Sequence, residues 1–116
     1  MNHETFEKLS GNTVRECLEM LNTKSKEYSR SGEKLHNFKR AGAILNQIPE
    51  KALIGMMIKQ FTSILDITTD IEQNRLPKLE LYREKMKDTI NYLLLLEGLI
   101  SERIETKKTE ESSINN

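Results

Sequence analysis

With one cysteine in 116 residues, the chain can build neither a disulfide framework nor a cysteine-based zinc site. Cys17 itself stands between Val14 and Leu18 at helical spacing. It reads as a core residue and not as a nucleophile. An excess of either charge sign is also missing: 18 basic residues balance 18 acidic ones. That removes any global attraction to nucleic acid or to an acidic membrane surface, and no nucleic-acid partner is expected. No run approaches the roughly 20 apolar residues of a membrane span. Residues 92–100 come nearest and hold Glu97. The first residues lack the basic-then-apolar order of a signal peptide, so a cytoplasmic protein without membrane contact is expected. A Gly-rich phosphate loop, a Ser/His/Asp set and a zinc signature are all missing.

What is present has a helical period almost throughout, punctuated by only two prolines and five glycines. The length fits one domain. The fold class expected is all-α, a compact bundle of four to five helices. A short helix over 4–9 would end at Gly11-Asn12, and Asn12 or Thr13 would cap a second helix running to Tyr28. Ser29-Arg30-Ser31-Gly32 reads as a break, and 33–45 as a third helix carrying Leu35 and Phe38. Pro49 suits the first turn of a broadly apolar fourth helix. Asn74-Arg75-Leu76-Pro77 ends it, and Pro77 starts a last helix to about Ile104. Residues 1–104 form the expected domain, and 105–116 a disordered polar tail. The last helix is apolar on more than one face over 92–100, so it is either central or covered by a second subunit. A homodimer or homotetramer is expected.

Within that last helix, Glu80, Glu84 and Asp88 stand four apart. Successive members turn by about 40° and rise about 6 Å, so they share one stripe. Like charges at this spacing repel, and more so near the apolar run that follows. Two carboxylates one turn apart can hold Mg²⁺, which prefers oxygen ligands and keeps waters for phosphate. Asn91 extends the face with an amide. The plain alternative is a solvated face, with Lys78, Lys85 and Lys87 nearby and Glu84 within reach of Lys87.

A second constellation is Lys24-x-Lys26-Glu27-Tyr28, followed by Asn37-Phe38. Glu27 can complete a metal site, the lysines can meet phosphate as point charges, and Tyr28 and Phe38 can wall a base pocket. Equally, the rings can be core and the lysines solvated. Lys59, amid Met57, Ile58 and Phe61, either snorkels to the edge or projects toward phosphate.

In order, Lys24-Ser25-Lys26-Glu27-Tyr28, Asn37-Phe38, Pro49 with Lys59-Gln60, and Asp88-Thr89-Ile90-Asn91-Tyr92 resemble the MazG-like all-α nucleotide pyrophosphohydrolases, in particular small phage-type members. The resemblance spans about residues 14–103. It implies an oligomeric helical bundle that uses Mg²⁺ to hydrolyse a nucleoside triphosphate to monophosphate and pyrophosphate, in the host cytoplasm if phage-encoded. It implies Glu27, Glu84 and Asp88 as metal ligands, with Glu84 and Asp88 catalytic and Glu80 as the alternative to Glu84 for the further acid. It further implies Lys24, Tyr28, Asn37, Phe38, Lys59, Asn91 and Tyr92 around the nucleotide. Glu27 stands where the family has Asp, and Gln60 where it has His. Glu16-x-x-Glu19 offers another match to the family's acidic pair. Two alternatives remain: a nucleotide-binding or sequestering protein without catalysis, and a helical protein of phage origin that docks on a host protein.

Overall fold

The computed structural model describes residues 1–28 and 33–115, with side chains except at 24–28 and 115. It contains four helices: α1 (His3–Tyr28), α2 (His36–Leu45), α3 (Pro49–Glu72) and α4 (Leu79–Asn115). No strand occurs among the described residues. The all-α expectation therefore holds at the level of fold class.

α1 is one helix and not two. Asn2 caps it, its Oδ1 accepting the Thr5 N–H at 2.8 Å. Gly11 and Asn12, read as a break, are internal to it. Thr13 turns its hydroxyl back onto the Leu9 carbonyl and caps nothing. A lone glycine costs a helix only about 1 kcal/mol, which its neighbours can absorb. The Ser29–Gly32 break expected from sequence lies outside the described residues.

α2 ends in a left-handed residue, Asn46 (φ 55°), and the Gln47 N–H bonds the Gly42 carbonyl at 2.8 Å. This closes the chain so tightly that a Cβ on Gly42 would lie 2.6 Å from the Gln47 carbonyl oxygen. Pro49 opens α3 as expected. The α3 end folds back through Arg75, whose N–H bonds the Asp70 carbonyl and whose guanidinium holds the Asp70 carboxylate at 2.9 Å.

α4 is the spine, 37 residues long. It starts two residues after Pro77 and continues to Asn115. The stretch from Glu105, expected to be disordered, is thus helical here, with the described side chains exposed. α3 lies against α4 in the opposite direction: Glu50, at the start of α3, grips Arg103 far along α4. α2 packs on α3, and α1 packs on α4. Leu35, Phe38, Leu53 and Leu99 form the core, with Tyr92, Leu95 and Leu96 against it.

The molecule is long and open. Its radius of gyration is 17.9 Å, against about 13 Å for a compact domain of this length. It exposes 8974 Å², where a compact monomer of this mass exposes roughly 6,500 Å².

Candidate functional site

Helical phase decides which member of the acidic stripe turns inward. Asp88 is four residues before Tyr92 and eleven before Leu99, both of which meet the core. It is half-buried. Glu84 and Glu80 drift about 40° and 80° away from that direction. Both are exposed. The Asp88 charge reaches two neighbours. Burial chiefly, and then Asp88, push the Tyr92 hydroxyl pKa up. Burial likewise raises the Cys17 thiol, and the charges of Glu16 and Asp88 add to this against Lys87. Cys17 is fully buried, and its thiol points at the Lys87 carbonyl, so it fills the α1–α4 junction as expected.

Asn91 is the buried polar residue of α4, 7% exposed, and its Oδ1 has no hydrogen-bond partner among the described residues. A buried acceptor left so costs about 1–3 kcal/mol. The Tyr92 ring meets Phe38 edge-to-face at 6.4 Å between centroids, a favoured aromatic geometry. A second orphan lies on α3. Gln60 sits in the core-facing phase of α3, seven residues after Leu53 and four before Ile64. Its Oε1 is buried without a partner among the described residues. Since Glu50 and Arg103 set the register, Gln60 lies about 15 Å along α3 from that pair. That is level with Leu93 and within one turn of Asn91 and Tyr92. Gln60 was noted in sequence only for the histidine it replaces. Its phase in α3 is the signal that finds it.

The structure therefore brings Phe38 and Tyr92 into ring contact, with Asp88 and Asn91 on the adjoining turns of α4 and Gln60 level with them by helical register. Asn37 and Lys59 are exposed. Lys24, Glu27 and Tyr28 lie in the last turns of α1, and their side chains are outside the described ones. No three His, Cys, Asp or Glu side chains gather as a metal-binding group among the described residues.

Glu16 is committed elsewhere. Its carboxylate takes Arg83 at 2.7 Å and Lys87 at 3.0 Å, pinning α1 to α4. The Lys87 hydrogen bond above all holds its pKa below the usual carboxylate range, against the opposing effect of burial. Glu19 is exposed beside Arg15. At the other end, Arg103 holds the Glu50 carboxyl low, and Lys39 bridges Glu33 and Glu102 to tie α2 to α4. No helix is long and apolar enough to cross a membrane among the described residues. Comparison of the chain with family models, with curated proteins and with solved structures gives no match.

Proposed function

We propose that the chain is a small, phage-type, MazG-like nucleotide pyrophosphohydrolase, oligomeric and dependent on Mg²⁺. The observation that supports this most is the buried, unpartnered Asn91 Oδ1, one turn from Asp88 and beside the Tyr92–Phe38 ring pair. A solvated acidic face leaves that oxygen unexplained. A nucleotide supplies what it needs, because base amino groups and sugar hydroxyls are hydrogen-bond donors. The orphan Gln60 Oε1 at the same level fits the same ligand.

Asp88 offers the hard oxygen donor that Mg²⁺ takes, with Glu84 one turn before and Glu27 from α1 as the further ligands, which leaves the Asn91 oxygen for the nucleotide. When bound, Mg²⁺ offsets triphosphate charge and acidifies an attacking water. Asp88, at the edge of the buried stripe, orients that water, and the exposed Glu84 takes its proton. Tyr92, Phe38, Tyr28 and Asn37 hold the nucleoside, and Lys24 and Lys59 meet the phosphates.

Pyrophosphate release from each nucleoside triphosphate with Mg²⁺ tests the reading. Turnover with at least one, lost in Asp88→Ala, supports it. A second reading, nucleotide binding without catalysis, is favoured by the outward turn of Glu80 and Glu84 and by the amide at Gln60. It predicts no turnover, and a thermal shift with nucleotide that survives chelation of metal. Neither turnover nor binding would leave the host-docking reading.

A further inference from the structure

We infer that the exposed apolar stripe of α4 is a self-association surface, covered by α4 of a second copy of this chain running antiparallel. The inference rests on the oligomeric part of the reading above and not on its nucleotide chemistry.

Leu79, Met86, Leu93 and Ile100 recur every seven residues on a face of α4 turned about 100° from the one that carries Tyr92 and Leu99, and Ile104 continues it. Each is between 42% and 56% exposed. Leu93, Ile100 and Ile104 line one shallow groove with Glu97. Sustained seven-residue spacing is the pattern of a helix that meets another helix along its length. The area agrees. The chain exposes 8974 Å², roughly 2,400 Å² more than a compact monomer of its mass. A stable interface needs about 800 Å² from each partner.

Charge selects the direction. Within the stripe the charged side chains are Arg83 and Glu97. A parallel, in-register pair would set Glu97 against its own copy. An antiparallel pair centred on Ile90 brings Glu97 level with Arg83 of the second copy. Arg83 meets Glu16 through Nη2 and shares that carboxylate with Lys87, so its guanidinium has further N–H groups to offer Glu97. The same register sets Leu79 of one copy level with Ser101 of the other, between Ile100 and Ile104.

The test measures solution mass by light scattering on the full chain, with helix content by circular dichroism. Wild type is expected at twice the 13.5 kDa chain mass or more. Leu93→Glu and Ile100→Glu should at least halve that mass and keep the helix signal, since both side chains are half-exposed. Phe61→Glu, on an exposed apolar part of α3, should leave the mass unchanged. A chain carrying Leu79→Cys together with Ser101→Cys should cross-link to a covalent dimer under mild oxidation, and Ser101→Cys alone should not. A single-chain mass for wild type overturns the oligomer itself. An oligomer that Leu93→Glu leaves intact, or that Phe61→Glu disperses, overturns only the surface. Cross-linking by Ser101→Cys alone overturns the antiparallel direction.

Discussion

At the scale of single residues, the site depends on which way one helix turns. The four-residue spacing of Glu80, Glu84 and Asp88 is legible in sequence. Which of them faces the core is set by the neighbours α4 acquires, and only Asp88 is held in phase with Tyr92 and Leu99. Asn91 and Gln60 are harder to read, because a buried amide and a solvated one look alike until the facing helix is placed. Asn91 carries a specific prediction. Asn91→Leu removes an acceptor buried without a donor, so the ligand-free protein should gain about 1 kcal/mol in urea unfolding at fixed protein concentration. The same substitution should abolish any thermal shift given by nucleotide. A loss of stability would show that Oδ1 is already satisfied. Gly42 carries another. A Cβ there meets the Gln47 carbonyl at 2.6 Å, and that oxygen belongs to the backbone and has little room to move. Gly42→Ala should cost roughly 1–3 kcal/mol, read as a lower thermal midpoint. An unchanged midpoint would mean that the α2–α3 turn is looser than it looks.

At the scale of elements, the helices and the Pro49 start were legible because local chemistry decides them. The Gly11 break and the disordered tail were not. Both rest on composition, and a continuous helix needs only modest help from spacing, such as the Glu105–Lys108 pair one turn apart. The docking of α1 on α4 is invisible in sequence, since Glu16 meets Arg83 and Lys87 across the chain. It makes a pH prediction. The Glu16 pKa is lowered in the folded state. Its contribution is therefore complete above the ordinary carboxylate pKa of about 4.3 and is lost as pH falls through the lower folded value. Protection of α1 amides, taken relative to their intrinsic exchange at each pH, should fall on acidification below about pH 4.3 before that of the α3–α4 core does. Glu16→Gln should show the faster α1 exchange already at pH 7. Uniform exchange across all helices at low pH would assign the loosening to the whole bundle.

At the scale of the molecule, the buried apolar side chains are few. Among the described residues they are Cys17, Leu35, Phe38, Ala52, Leu53, Ile67 and Leu99. Leu9, Val14 and Leu18 on α1, Ile58 and Phe61 on α3, and the stripe of α4 all remain substantially exposed. A single copy thus gains little burial against the ordering of four helices, and a shape extending 62 Å in its longest dimension leaves much of its apolar surface wet. If a second copy supplies the missing burial, folding and association are one equilibrium. The thermal midpoint must then rise with protein concentration. A tenfold rise shifts a dimer's balance by about 1.4 kcal/mol, and two chains together are the size of a domain that gains roughly 2–4 °C per kcal/mol. A midpoint higher by about 3–5 °C per decade of concentration is therefore expected for wild type, measured by circular dichroism. Leu93→Glu should have a lower midpoint that no longer moves with concentration. A wild-type midpoint independent of concentration would mean that the four helices are stable alone, and that the open surface must be explained by some partner other than this chain.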